Sequence, residues 1–479
     1  MFETPDLTLL GTEIFMLIMA CVVLVADLFV KDKGHKLTYL LAQFALVFGF
    51  YYTLKLGMAT EDATIAYAGS YIFDGMALIL KLAIFITAFI VLVYSRPYIN
   101  ERDILRGEYY MLVLFATLGA LVLVSAHSLL TIYLGLELLT LASYALVASH
   151  RDSSNSSEAA MKYFVMGAVA SAFMLYGMSL VYGASKTIEI GLIADAMVGT
   201  QSLLFGMGLV FMVSGIAFKL GAVPFHMWIP DVYQGAPTPV TAFIGSVPKI
   251  AAFGMIMRIL VEAMPSLESN WMMMLIILAV LSMGLGNITA IVQSNIKRLL
   301  AYSAIAHVGY FLLGMIAGTP DGYSASMFYI LVYALTTVAG FGVIIFMSRA
   351  GFECDTLDDF KGLWQRSPWY AFMMLMTIMS MAGVPPFIGF WPKLEVIMAV
   401  LNADKDLVWL AVVAMVFSIV GAFVYLRIAK VMFFDAPETD AELGSDLSMR
   451  IVLSLNGLAM LGLGLFPTLI LGYCVAVFA

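Results

Sequence analysis

Four ionisable residues stand where a chain of this kind rarely carries them. Glu137 lies near the middle of one apolar run, and Lys219 lies in another, five residues before Pro224. Lys249 comes ten residues after Pro239, which at about 1.5 Å per residue places it some 15 Å (about half a bilayer core) into a helix. Lys393 follows the Pro385–Pro386 pair. An ion near the bilayer centre costs about 2.5–3.5 kcal/mol on insertion scales, so a purely structural bundle has little reason to carry four. Away from water a lysine holds its proton less firmly, and a nearby carboxylate restores the hold. Moving Glu137 toward or away from Lys219 would therefore switch that lysine between holding and releasing a proton. Linked by water, Glu137, Lys219, Lys249 and Lys393 read as a horizontal proton relay.

Other charged residues in apolar runs have a plainer reading. Lys55, Lys81 and Arg427 are expected to snorkel to the interface. His307 and His226 are softer relay candidates. Histidine titrates near the working pH, but a lone histidine among apolar residues is more often a satisfied core residue. Asp231 is expected in a loop or cap. The 34 methionines read as adaptable packing.

These residues must be positioned by membrane helices. The 479 residues are 62% hydrophobic and 12% charged, about half the charge of a soluble domain. Apolar runs long enough to span a bilayer recur at 9–30, 38–57, 71–95, 108–125, 127–149, 160–183, 203–222, 239–263, 270–294, 298–318, 323–349, 368–400, 406–433 and 451–477. The expected fold is therefore an all-α polytopic membrane protein with about fourteen transmembrane helices. Met1 to Asp6 lacks the positive segment of a cleaved signal, and the run from Leu9 to Val30 reads as a retained first helix.

Arginine and lysine in alternate loops fall mostly on one side, Lys31, Lys33, Lys36, Arg151 and Lys297 among them, against Lys55, Lys186, Arg258 and Lys405 on the other. By the positive-inside rule the rich side is cytoplasmic and both termini face the periplasm. Cys21, Cys354 and Cys474 form no paired spacing, so neither a disulfide framework nor a metal or iron–sulfur site is expected in this chain. There is no basic patch with interleaved aromatics to suggest nucleic acid.

An internal echo organises the walk. GAVPF at 221–225, followed by Trp228 and Pro230, resembles GVPPF at 383–387, followed by Trp391 and Pro392. The two lie five spans apart, an odd offset that reverses direction through the membrane. Inverted repeats with paired interrupted helices mark transport sites. The division expected is 1–107 as an N-terminal three-helix segment, 108–263 as the first five-helix repeat, 270–433 as the second, and 434–479 as a loop and last helix. His307 lies five spans after Glu137, a related place under this repeat.

Three strings carry a family resemblance: FKLGAVPFHMWIPDVYQGAPTPV at 218–240, QSNIKRLLAYSAIAHVGY at 293–310 and AGVPPFIGFWPK at 382–393. They resemble the signatures of the antiporter-like membrane subunits of respiratory complex I, over most of the chain to Asp435. Within that family YLGLE ending at Glu137, PDVYQGAP at 230–237 and a lysine rather than glutamate at Lys393 point to one branch, as does the absence of a long lateral helix after the last span. The resemblance implies two inverted five-helix repeats, a place among other membrane-arm subunits of a bacterial inner membrane, and Glu137, Lys219, Lys249 and Lys393 as the key charges. It also implies that NADH, FMN, iron–sulfur clusters and quinone belong to other subunits, whose electron transfer drives this one, with protons the only small substrate here. A multi-subunit sodium–proton antiporter, a scaffold with a vestigial relay and the related plastoquinone-reducing photosynthetic complex stay open.

Overall fold

The computed structural model describes residues 7–30, 35–60, 63–102, 104, 106–199, 202–349, 351–403, 406–438 and 446–479. The N-terminal hexapeptide and three of the loop lysines used for orientation, Lys31, Lys33 and Lys405, lie outside these. Among the described residues twelve helices are long and apolar enough to cross a membrane. Of the fourteen expected spans, the other two are a first helix of 17 residues and the run 368–400, which is interrupted.

In chain order the elements are α1 (Gly11–Asp27), α2 (Lys36–Ala59), a hairpin of β1 (Thr64–Ala66) and β2 (Tyr71–Phe73), α3 (Gly75–Arg102), α4 (Arg106–Val124), α5 (Leu129–Val147), α6 (Ser154–Ser185), α7 (Ile190–Met197) and α8 (Leu203–Leu220). Then come α9 (Trp228–Gly235), α10 (Thr238–Ile244), α11 (Val247–Ile256) running into a π-helical turn (Met257–Glu262), α12 (Glu268–Ile291), α13 (Ile296–Ala317) and α14 (Pro320–Met347). The chain finishes with α15 (Leu363–Arg366), α16 (Pro368–Ala382), α17 (Phe390–Asn402), α18 (Val408–Phe434), α19 (Leu447–Leu465) and α20 (Thr468–Phe478). The hairpin, with Thr64 opposite Phe73, was not foreseen.

The chain divides into two compact units. The first holds residues 1–92, 103–219 and 247–271. Here glycines set the helix spacing. A Cβ on Gly119 of α4 would lie 2.3 Å from the Leu139 nitrogen of α5, and one on Gly135 would lie 2.8 Å from the Leu123 nitrogen. α6 and α8 meet in the same way at Gly177 and Gly208. Without a hydrophobic drive between helices in lipid, such small residues allow the close approach that packing needs. They fix the α5 face that carries Glu137 and the α8 face that ends at Lys219.

The second unit holds residues 93–102, 220–246 and 272–479. α13 and α14 are buried along nearly their whole length, and Gly314 and Gly322 bring them together. At one end the loop after α14 is fastened by Glu353. Its carboxylate accepts hydrogen bonds from Tyr98 Oη at 2.9 Å and Thr238 Oγ1 at 2.6 Å, and pairs with Arg102 at 3.1 Å. Lys297 at the start of α13 lies 3.8 Å away and pairs with Asp355 at 2.9 Å. One carboxylate thus ties together the ends of α3, α10 and α13. The adjoining Cys354 is fully buried. Burial, then the neighbouring Asp359, Glu353 and Asp355 carboxylates, push its thiol well above the usual range.

A protonated, buried thiol reacts poorly. Cys354 is therefore expected to resist a maleimide at neutral pH. Glu353→Ala removes the fastening, and labelling of Cys354 should accelerate about tenfold as the loop opens. Unchanged labelling kinetics, measured by mass shift of the purified chain, would show that Glu353 does not hold the loop.

Candidate functional site

Each echoed motif is a helix break, and the two breaks share a build. α8 ends at Leu220 and α9 starts at Trp228; α16 ends at Ala382 and α17 starts at Phe390. The intervening stretches, 221–227 and 383–389, are equal in length. Each opens on a glycine in the left-handed region, Gly221 at φ 77° and Gly383 at φ 81°, where a side chain is disfavoured. Both Val223–Pro224 and Pro385–Pro386 are cis. The Val223 N–H donates to Ser282 Oγ at 2.9 Å. In the second break the Gly389 N–H donates to Ser380 Oγ at 3.0 Å and the Ile388 N–H to the Met460 carbonyl at 2.8 Å. Backbone groups freed by the breaks are in this way partnered inside protein, the condition for irregular backbone at membrane depth.

Lys393, whose depth the sequence does not reveal, is buried. Its Nζ donates to the carbonyl oxygens of Met381 at 3.0 Å and Ala382 at 2.9 Å. These are C-terminal carbonyls of α16, left without helical partners and carrying the negative end of the helix dipole. Ser418 Oγ lies 3.5 Å away and the ring of Tyr310 lies 5.1 Å below the ammonium. Gly383 makes the fit possible, since a Cβ there would lie 2.7 Å from Lys393 Cδ.

In the first unit Lys219 Nζ donates to Thr140 Oγ1 at 3.0 Å. The Thr140 hydroxyl in turn donates to the Leu136 carbonyl at 2.5 Å. Thr140 stands one turn along α5 from Glu137, on the same face, and Glu137 is the carboxylate whose charge acts on Lys219. Both Glu137 and Lys219 are partly exposed, while one carboxylate oxygen of Glu137 is buried with no hydrogen-bond partner among the described residues. Lys249 is deeply buried, 2% exposed. It sits directly after Pro248, which the sequence reading passed over. Proline lacks an N–H and crowds the carbonyl four residues back, here Ile244, where α10 ends. A third proline-interrupted helix therefore carries the third lysine.

His307 is buried between two phenols, with Nδ1 2.7 Å from Tyr329 Oη and Nε2 3.1 Å from Tyr425 Oη. Tyr425 continues to Ser303 at 2.5 Å. Neither tyrosine was singled out from sequence. His226 lies within the first break and is only partly buried. Asp231 is helical, in the first turn of α9, and pairs with Arg298 at 2.7 Å.

Among the three residues read as snorkelling, Lys55 is exposed as expected. Arg427 donates to the Ile291 carbonyl at 2.7 Å, capping α12. Lys81 departs from that reading. It is fully buried and ion-paired with Glu13. Two opposite charges in apolar runs were the available signal, hidden by their separation in sequence.

Lysines beside helix breaks in a polytopic bundle are features shared with membrane transport proteins. Residues 126–418 match the family model described as NADH:quinone oxidoreductase/Mrp antiporter, TM. The chain is 50% identical over 475 residues to NADH-quinone oxidoreductase subunit N of Thioalkalivibrio sulfidiphilus, covering 98% of both chains. It is 51% identical over 473 residues to the subunit N of Nitrosomonas europaea, again covering 98% of both. It also superposes on a chain of respiratory complex I from Thermus thermophilus with bound aureothin, with TM-score 0.82 and 31% identity, covering 96% of this chain and 98% of that one. The chain belongs to the NADH-quinone oxidoreductase subunit N family.

Gly383→Ala tests how the second break holds its lysine. The left-handed backbone alone costs a side chain roughly 1–2 kcal/mol, and the added methyl must displace Lys393. Thermal unfolding of the purified complex should shift downward for this chain, whereas Gly462→Ala, where a Cβ meets nothing within 4 Å, should leave it in place. Equal melting of the two variants would contradict the contact.

Proposed function

We propose that this chain translocates protons as a membrane-arm subunit of NADH-quinone oxidoreductase, along a relay of Glu137, Lys219, Lys249 and Lys393. The observation that carries this is the seating of Lys219 and Lys393. Lys219 and Lys393 hold to a threonine hydroxyl and to backbone carbonyls, and neither forms an ion pair among the described residues. A lysine neutralised by a carboxylate contact has little reason to release its proton. One held by neutral oxygens keeps a seat in either protonation state and answers to charges nearby.

Glu137 is the natural control. Its partly exposed position and its unpartnered oxygen leave it free to shift its charge relative to Lys219. With the carboxylate near, Lys219 holds its proton; with it withdrawn, the proton passes toward Lys249 and onward to Lys393. His307 extends the path beside Lys393 in the second unit, since its two nitrogens contact two phenols that can each accept and donate. His226, in the break itself, is the weaker member. The matching length and glycine conformation of the two breaks support the plan of two inverted repeats, 108–263 and 270–433.

Electron transfer from NADH to quinone takes place in other subunits, where NADH, FMN, iron–sulfur clusters and quinone belong. Other membrane-arm subunits are the partners. The chain lies in the bacterial inner membrane with both termini periplasmic, on the strength of the lysine and arginine distribution.

In the intact complex reconstituted into vesicles, Lys219→Ala, Lys249→Ala and Lys393→Ala should each lower the protons moved per NADH oxidised. Thr140→Val should do the same in milder form, because it takes away the hydroxyl that accepts from Lys219, a loss of about 1 kcal/mol; Thr140→Ser should restore it. Pumping must follow NADH oxidation rather than an imposed sodium gradient, which separates this reading from a sodium–proton antiporter. Normal assembly with an unchanged proton yield in all three lysine variants would leave a scaffold.

A further inference from the structure

Glu13, Tyr71 and Lys81 form a charged cluster in the first unit that the relay does not use. Each is at most 4% exposed. Lys81 Nζ donates to Glu13 and, at 2.9 Å, to Tyr71 Oη. Tyr71 Oη in turn lies 3.3 Å from both Glu13 oxygens and donates to the Leu9 carbonyl at 2.9 Å. The ammonium also stands 5.1 Å from the Tyr71 ring and 5.3 Å from that of Phe73. A buried ion pair repays its desolvation poorly and is weak support for stability. Within a membrane segment an ionisable pair is a functional site by default.

Its place in the fold gives it a direction. Leu80, the neighbour of Lys81, packs with Val124 against Gly254 of α11, whose Cβ would fall 3.1–3.3 Å from the two side chains. Gly254 is five residues beyond Lys249, about 7.5 Å along the axis. The helix that carries Lys81 therefore packs beside the helix of Lys249, on the side toward Glu262. Farther along, Tyr71 leads in three residues to Asp74, whose Oδ2 pairs with Arg258 at 2.8 Å. Arg258 pairs in turn with Glu262 at 2.6 Å, and His127 lies 4.0 Å from Glu262. The backbone links the two clusters, since the Ile72 N–H donates to the Ser125 carbonyl and the His127 N–H to the Ser70 carbonyl. Among the carboxylates on this line side-chain exposure climbs from 5% at Glu13 to 18% at Asp74 and 31% at Glu262, while Arg258 between the last two is 1% exposed. Arg258 also occupies the π-helical turn, a form of helix frequent at functional sites.

We propose that Glu13 is a proton-exchanging group on an outlet that runs from Lys249 past Glu13 to Asp74 and Glu262. This rests on the relay reading above. Glu13 takes up a proton as a carboxylic acid and returns it as carboxylate, so nothing is consumed. Lys81 stays charged and sets how firmly the proton is held. Tyr71, which accepts from Lys81 and faces both Glu13 oxygens, positions the carboxylate. Lys81 and Tyr71 are positioning residues.

The test is the proton-to-electron ratio of the intact complex in vesicles, for Glu13→Gln, Glu13→Asp, Tyr71→Phe and Lys249→Ala. Glu13→Gln keeps the size and one acceptor oxygen for Lys81 but cannot ionise, and its ratio should fall as far as that of Lys249→Ala. Glu13→Asp should recover most of it. Tyr71→Phe leaves the Glu13–Lys81 pair in place and should lower the ratio by about half as much as Glu13→Gln. If Lys249→Ala lowers the ratio and assembled Glu13→Gln does not, the outlet is wrong and the relay stands. If Lys249→Ala itself has no effect, the relay fails and the outlet with it. Loss of assembly in both Glu13→Gln and Tyr71→Phe would assign the cluster to folding and overturn the proposal.

Discussion

Lys393 rests on the carbonyl oxygens of Met381 and Ala382, and the surrounding second unit is arranged around that contact. A cation inside an apolar slab needs oxygen partners, and an unbroken helix offers only carbonyls that are already bonded once within the segment. Interrupting the helix frees the last carbonyls of α16 and aims a helix dipole at the ammonium. Gly383, in the left-handed region, ends α16 beside Lys393 and leaves no room for a side chain of its own. The backbone of the break is then bonded to Ser380 and Met460, and Trp391 Nε1 donates to the Gly464 carbonyl at 2.8 Å. The seat is made of neutral groups, which suits the proton exchange proposed for Lys393.

The first unit solves the same problem with a side chain. Thr140 presents its hydroxyl oxygen to Lys219 while donating its hydrogen to Leu136. Close crossing at Gly119 and Gly135 sets α5, and crossing at Gly177 and Gly208 sets α8. Charge pairs are kept for other positions: Glu13 with Lys81, and Asp74 and Glu262 with Arg258. The unit thus separates lysines held by neutral oxygen from cations held by carboxylate. These two kinds of seat suit two tasks, releasing a proton on demand and fixing a charge in place.

Much of this was legible in the sequence, for physical reasons that can be named. Length and apolarity mark membrane spans because the bilayer sets both, and Gly221 and Gly383 announce their breaks through the motifs that follow. Lys219, Lys249 and Lys393 stand out because charge in an apolar run is rare. Partners at long sequence range were not legible. Nothing in the local pattern of Lys81 signals Glu13, 68 positions away, so it read as a snorkelling residue. Tyr329 and Tyr425 look like ordinary aromatic packing until the fold places His307 between them. Thr140 reads as a helix threonine bonded to its own backbone, which it also is. Pro248 was legible in the sequence beside Lys249, nine residues beyond Pro239 at the start of the helix.

The central claim is that the lysines of the first unit exchange protons. The most direct measurement is a high-resolution map of the assembled complex during turnover, examined for ordered water between Lys219 and Lys249. A continuous hydrogen-bonded file of water joining the two ammonium groups is the result this account predicts. A dry, apolar gap between them in every resolved state would contradict it.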